Sequence, residues 1–426
     1  MGLSVKTYKE YANILKEELV TALGCTEPTC VAYACAKARQ VLGEFPEEVI
    51  VESSGNIIKN VKGAVVPNTG NLRGIDAAAI IGIVGGDPDK ELEVLLGVVQ
   101  KDIDNAAELM KTDFCKVKVL KTKANLHIVA TVKSKFHSAL VEIIHTHTNI
   151  VRIEKDGQVV FQKDHDSTNF NDSLTDRTGL NIKDIKVFAD TFEMDDLKGI
   201  ITQQIKHNSR ISQEGLNNLY GASVGANLIK HYGDDIKVVA KAAAAAGSDA
   251  RMSGCILPVV INSGSGNQGM TVSLPVIEFA RHLNVSEEKL IRALVLSNLV
   301  AIHQKTSIGR LSAYCGAVSA ACGGGAGITY LHDGTFDQIC NTITNTLANI
   351  AGIVCDGAKP SCAAKIASAV DAAIMAHYLS MDNECFQPGE GLVKGDIERT
   401  INSIGRLGRD GMRETDKEIL KIMVES

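Results

Sequence analysis

Five of the eleven cysteines lie between positions 315 and 362: Cys315, Cys322, Cys340, Cys355 and Cys362. Thiolates are soft, anionic donors, and an iron–sulfur cluster needs three or four of them converging from loops. Cys355-Asp-Gly-Ala-Lys-Pro-Ser-Cys362 is a run of turn residues with a cysteine at each end, as a chelating loop would be. Cys315 and Cys322 flank Gly-Ala-Val-Ser-Ala-Ala ahead of a glycine run. The spacing matches neither a ferredoxin run nor the paired knuckles of a zinc ribbon, so buried inert thiols and a metal or cluster site both stand at this point. Cys25 has a different setting. It follows Gly24, a helix stop, and precedes Thr26-Glu27-Pro28, a helix start, where backbone N–H groups and the helix dipole favour a thiolate. That placement suits a nucleophile, a base or a ligand; a small apolar residue in a cap is the plain alternative. Cys30 and Cys35, inside the same helix, read as core.

Two glycine-rich runs, Asn262-Ser-Gly-Ser-Gly-Asn-Gln-Gly269 and Gly323-Gly-Gly-Ala-Gly327, could cradle an anion with backbone N–H groups. Close helix packing explains either as well. Together they resemble the substrate and phosphate loops of pyridoxal phosphate lyases, but no lysine motif precedes the first run, βα alternation is missing, and so are Walker and Rossmann fingerprints. His145 and His147, two apart on one strand face, could bind a metal or simply be solvated. His303-Gln-Lys305-Thr-Ser-Ile-Gly-Arg310 leads into Cys315 with cations that could neutralise a cluster or a carboxylate, or could form an ordinary helix end.

The elements that must position these groups change character near residue 195. Before it the chain reads as α+β. A helical pattern over 6–23 stops at Gly24, and a second helix runs from Thr26 to about Leu42. Strand-like stretches at 48–51 and 57–66 flank a Ser53-Ser54-Gly55-Asn56 turn. Alternation returns from Cys115, and Asp156-Gly157 marks a two-residue hairpin. The economical reading is an antiparallel sheet with helices on one face, over 1–194. Residues 161–186 read as a polar loop. From 195 to 426 helical stretches dominate, at 195–206, 213–231, 236–246, 274–282, 287–303, 336–354, 363–379 and 396–407, separated by Gly-rich turns that include both glycine runs. A mostly all-α second domain with site-bearing loops is expected.

Composition bounds the rest. The 426 residues are 45% hydrophobic and 22% charged, which fits a globular chain with a real core and excludes a disordered or fibrous one. A net charge of -6 leaves no basic footprint for nucleic acid or acidic lipid. The first twenty residues lack the apolar stretch of a signal peptide, and Lys6 breaks a myristoylation pattern. A cytoplasmic protein with reduced thiols is expected. Residues 311–331 are uncharged and long enough to span a bilayer, but Gly, Ala, Ser and Cys transfer weakly, so a buried, closely packed element is expected there and no membrane.

Four segments in combination carry a resemblance: Ala22-Leu-Gly-Cys-Thr-Glu-Pro-Thr-Cys30, His303 through Cys315-Gly, Cys322-Gly-Gly-Gly-Ala-Gly327, and Cys355 through Cys362. Together they resemble the L-cysteine desulfidase family, related to the α-chain domain of iron–sulfur L-serine dehydratases, over nearly the whole chain. The resemblance implies a 4Fe-4S cluster on Cys315, Cys355 and Cys362 with one iron open, Cys322 competing with Cys315. It also implies β-elimination of L-cysteine to hydrogen sulfide, ammonia and pyruvate, with Cys25 as the base. Thr26, Ser54, Asn56, Asn267 and Gln268 are the expected holders of the substrate carboxylate. The chain ends Ile-Met-Val-Glu-Ser, so no terminal cysteine is expected to block the cluster. An L-serine dehydratase on the same open iron is the nearest rival, and a non-enzymatic metal or iron–sulfur sensor a distant third. The partner is then a small amino acid, and the small-residue helical half could support a homodimer.

Overall fold

The computed structural model describes residues 2–169, 171 and 174–425. Helix α1 (Val5–Glu18) leads through the short strand β1 (Thr21–Leu23) into α2 (Thr26–Leu42). There follow β2 (Glu48–Ser53), α3 (Gly55–Lys62), α4 (Ile75–Gly85), α5 (Gln100–Leu109), and five strands: β3 (Cys115–Val119), β4 (His127–Lys133), β5 (Ser138–Ile144), β6 (Ile150–Lys155) and β7 (Gln158–Gln162). The strands order as β3-β2-β4-β5-β6-β7. Every neighbouring pair is antiparallel except β2 and β3, which run parallel. The sheet is therefore mixed, one pair short of the antiparallel arrangement expected. Period-two alternation points Val49 and Val51, Ile128, Ala130 and Val132, and Ala139, Val141 and Ile143 into one buried face. Helix α2 covers that face across β4 and β5 and packs in turn on α4. The β6–β7 turn has Asp156 and Gly157 both at positive φ, 52° and 77°, as the hairpin reading required.

Residues 57–66 are not a strand. Their first half is α3, entered from Ser54, with Ile57 and Val61 buried one turn apart. The β-branched residues suggested a strand, but their spacing is helical, and the spacing decides. The 161–186 stretch is loop only in part: Phe161 and Gln162 finish β7, and 182–186 open α6 (Ile182–Thr191), where Asn181 accepts the Asp184 N–H. Phe170, Asp172 and Ser173, inside that stretch, lie outside the described residues.

The remaining elements are α7 (Met194–Asn217), α8 (Val224–Tyr232), α9 (Ile236–Met252), the short β8 (Pro258–Val260), α10 (Gly266–His282), α11 (Glu287–Ile308), α12 (Gly316–Leu331), α13 (Phe336–Ile350), α14 (Cys362–Met381), α15 (Ile397–Arg406) and α16 (Arg413–Glu425). All of these except α8 and α16 share one apolar core, joined by α1 and α6 from earlier in the chain, with Tyr11 edge-on to Phe188 at 5.6 Å. A second core lies between the sheet and α2–α4.

The glycine run 323–327 is not a loop. It is the middle of α12, a buried helix packed on α10, α11, α13 and α14. Glycine is unfavourable within helices by about 1 kcal/mol, but here it sets how close the neighbours come. A Cβ on Gly323 would lie 2.4 Å from the Ser297 carbonyl of α11, and one on Gly327 2.8 Å from the Val276 side chain of α10. Close packing, the plainer of the two readings, accounts for this run. Gly323→Ala should therefore destabilise the protein by about 1–3 kcal/mol, the usual cost of overpacking. Urea unfolding midpoints measure this, and an unchanged midpoint would contradict the contact.

Candidate functional site

Two short pairings bring distant cysteines together. Strand β1 pairs antiparallel with β8, Thr21 opposite Val260 and Leu23 opposite Pro258, which sets Cys25 beside the segment 262–268. An isolated bridge joins Tyr314 to Val354: Cys315 N–H donates to the Ile353 carbonyl at 3.1 Å, and Cys355 N–H to the Ala313 carbonyl at 2.6 Å. Cys315 and Cys355 thus enter the same space from adjacent strands. Cys362 reaches it as the first residue of α14, Cys315 as the cap of α12 and Cys25 as the cap of α2. One cavity is lined by all four, together with Glu27, Asn60, Arg251, Ser263, Ser265, Asn267, Gln268, Lys305, Arg310, Ser312, Tyr314 and Lys365.

Four helix N-termini open on this cavity, those of α2, α10, α12 and α14, each with backbone N–H groups that no intrahelical carbonyl satisfies. Charge adds to this. Arg251, Lys305, Arg310 and Lys365 line the space, and Glu27 is the one carboxylate in the lining. Burial lowers the Lys305 ammonium to about 8 against the pull of Cys355 and Cys315 nearby. Burial and the neighbouring Cys355 push the Cys315 thiol up to about 12, and burial also raises Cys362. Tyr314 hydroxyl and Gln268 Oε1 are buried without partners.

Cys25 is buried and its thiol donates to Glu27 Oε2 at 3.3 Å. Burial, then the Glu27 charge, raise this thiol well above its ordinary value despite the cation of Arg251. The helix start alone favours a thiolate; desolvation beside a carboxylate outweighs it, so Cys25 rests as a neutral thiol. Glu27 also accepts from Thr26 Oγ1 at 3.1 Å and Asn60 Nδ2 at 3.0 Å. Burial pushes its pKa up, but the interactions with His147 and Arg251 and the donated hydrogen bonds outweigh that, and the net shift is downward. His147 is itself held neutral to about pH 4 by burial, so Arg251 is the standing charge that keeps Glu27 ionised at neutral pH.

Of the residues expected to hold the substrate carboxylate, Asn267 and Gln268 line the cavity. Thr26 is one layer back, its hydroxyl donating to the Gly264 carbonyl at 2.9 Å as well as to Glu27. Ser54 donates to the Asn125 carbonyl at 2.7 Å, and Asn56 Oδ1 is buried without a partner; both sit at the start of α3, outside the lining. Cys322 lies two turns into α12, fully buried, its thiol toward the Ile343 carbonyl at 3.6 Å rather than the cavity. His145 and His147 are not on a solvated strand face: both are buried just after β5, and His145 takes a positive φ of 67°. His303 pairs with Glu398 at 2.7 Å.

Sequence reading missed Arg251, the role of Glu27, and His147 as their neighbour. A signal existed for Arg251, a cation in the last turn of α9 just after the small-residue run 242–248. Behind the cavity, Arg310 and Arg177 share the buried Glu18 carboxylate at 2.6 and 2.7 Å. The wall is tied to the chain's end by Lys59 of α3, which is buried, pairs with Asp416 of α16 and approaches the Ser312 carbonyl at 3.5 Å. Among the described residues, no group of three or more His, Cys, Asp or Glu side chains is arranged to hold a single metal ion. Nor is any described helix long and apolar enough to cross a membrane.

Residues 89–421 match the family described as serine dehydratase alpha chain, and the chain belongs to it. It is 56% identical to the UPF0597 protein of Lachnoclostridium phytofermentans over 98% of this chain and 100% of that one. It is 50% identical to the UPF0597 protein of Treponema denticola over the full length of both, and 52% identical to that of Desulfitobacterium hafniense over 98% and 97%.

The buried His147 gives a pH dependence with a definite sign. Its folded value of about 4 lies below the ordinary 6.5, so between those values the unfolded chain binds a proton that the folded one does not. Stability is then full above about pH 6.5 and falls as the pH drops toward about 4. His147→Asn should flatten that part of the slope. Urea midpoints at several pH values across this window test it; an unaltered slope would mean that the imidazole is not held neutral.

Proposed function

We propose that this chain is a lyase that removes the β-substituent of a small α-amino acid, with L-cysteine converted to hydrogen sulfide, ammonia and pyruvate. The observation that carries the reading is the convergence of Cys25, Cys315, Cys355 and Cys362 on one cavity lined by cations. A 4Fe-4S cluster on Cys315, Cys355 and Cys362 suits the donor set: three thiols from two loops and a helix start, with Lys305 and Lys365 to offset their charge when ionised. In a cluster each thiolate binds a different iron, so the ligands share a cavity rather than a point. When bound, such a cluster supplies an open iron as a Lewis acid that favours departure of the substrate sulfur.

The protein's own part is proton movement and orientation. Asn267 and Gln268 orient the substrate carboxylate; Thr26 holds the Gly264 carbonyl behind them, and Ser54 and Asn56, outside the lining, take no part. Cys25 takes the Cα proton. As a neutral thiol it must first release its own, and Glu27 Oε2 is the acceptor already in contact. The S–H bond breaks and an O–H bond forms on Glu27. The thiolate then takes the Cα proton, a Cα–Cβ double bond forms, and the Cβ–S bond breaks with both electrons leaving on sulfur. The proton on Glu27 passes to that sulfur, which restores the carboxylate. Aminoacrylate hydrolyses to pyruvate and ammonia, with no net oxidation or reduction.

The family description favours a second reading in the same machinery, L-serine as substrate with water leaving. Protein prepared without oxygen and reconstituted should hold about four iron and four sulfide per chain, and should release sulfide and pyruvate from L-cysteine. Pyruvate from L-serine with no sulfide from L-cysteine would select the second reading, and neither iron nor sulfide would sink both. Cys355→Ala should lose iron and activity together. Cys25→Ala should keep iron and lose turnover by about 10²–10⁴-fold; if it loses iron instead, Cys25 is a ligand and not the base.

A further inference from the structure

Buried donors left unpaired on a cation indicate the kind of ligand that is meant to enter. Arg251, at the end of α9, is 2% exposed and lines the cavity. Its Nη1 donates to Asn267 Oδ1 at 3.1 Å, while Nε and Nη2 are buried without any partner. Those two atoms form one edge of the guanidinium, the fork that matches the two oxygens of a carboxylate. Leaving such donors unsatisfied in a dry site costs free energy that a ligand would recover.

The fork stands against the start of α10. That helix runs 17 residues from Gly266, its cap Ser265 makes no side-chain hydrogen bond to it, and Ser265, Asn267 and Gln268 line the cavity. The N–H groups of its first turn have no intrahelical acceptors. A Cβ on Gly266 would fall 2.4 Å from Arg251 Nε and 2.6 Å from the Val259 side chain, so glycine lets the fork stand close against the helix end. Glu27 is close enough to feel the Arg251 charge, but its oxygens take their hydrogen bonds from Cys25, Thr26 and Asn60, and the free edge of the guanidinium stays unpaired.

We infer that Arg251, with the first turn of α10, forms a carboxylate-reading subsite that restricts this cavity to substrates with a free α-carboxylate. The inference deepens the proposed amino-acid lyase activity and rests on it for the orientation of the substrate. It specifies the class more narrowly: free amino acids enter, whereas their amides, their esters and peptide-linked residues do not.

The test uses ligands that have no leaving group, so that binding is read without turnover. Calorimetric titration of the reconstituted protein with L-alanine and with L-alaninamide compares a carboxylate with its neutral counterpart. L-Alanine should bind about ten- to a hundredfold more tightly, the worth of hydrogen bonds to a charged group. In Arg251→Gln that preference should vanish through loss of L-alanine affinity, and Arg251→Lys should restore only part of it. Equal binding of the two ligands to the wild type, binding of neither, or an Arg251→Gln protein that still prefers L-alanine would each overturn the assignment. The wild-type comparison stands even where a variant fails to fold. A wild type that releases sulfide from L-cysteine yet binds the two ligands equally would overturn this subsite and leave the desulfidase reading standing.

Discussion

Helix ends are where the backbone is least satisfied, and this protein gathers four of them around one space. The N-termini of α2, α10, α12 and α14 meet at the cavity, each adding partial positive charge to that of Arg251, Lys305, Arg310 and Lys365. Such an arrangement is costly when empty and favourable when an anion arrives. Most of the surrounding architecture follows from holding these four ends in place. The β1–β8 pairing fixes α2 against α10, the Tyr314–Val354 bridge fixes α12 against the loop that opens α14, and the glycines of α12 let α10 and α11 come close enough to share one core.

The same constraint separates the acid chemistry from the anion chemistry. Glu27 is retained as a carboxylate because its oxygens have three donors and a buried guanidinium lies near. Cys25, one turn position away, is kept protonated by burial and by that very carboxylate. The two opposite shifts place the proton on Cys25 and the charge on Glu27, with one hydrogen bond joining the two groups. The cationic side of the cavity is left for the groups that bring negative charge with them.

Local chemistry made much of this legible in the sequence. The α+β front and helical back could be read from periodicity, and the Asp156-Gly157 hairpin from its turn residues. The helix from Thr26 to Leu42 was legible from its stop and start signals. Cys355 and Cys362 stand out by the turn residues between them, whereas Cys315 is set apart from Cys322 only by the family resemblance. What escaped depends on contacts between distant parts of the chain. The glycines of 323–327 look like a loop until the Ser297 carbonyl is seen where a Cβ would stand. Cys25 looks like a thiolate until burial and Glu27 are both counted. His147 and Arg251 acquire meaning only when a strand end and an alanine-rich helix are brought to the same carboxylate, 120 and more positions away.

The tie between Lys59 and Asp416 spans 357 positions of sequence. Lys59 belongs to the helix beside Asn60, which lines the cavity, and Asp416 to the last helix described. During synthesis at the ribosome, the amino-terminal wall is therefore made long before its fastening exists. Such long-range contacts form late and slow the approach to the native state.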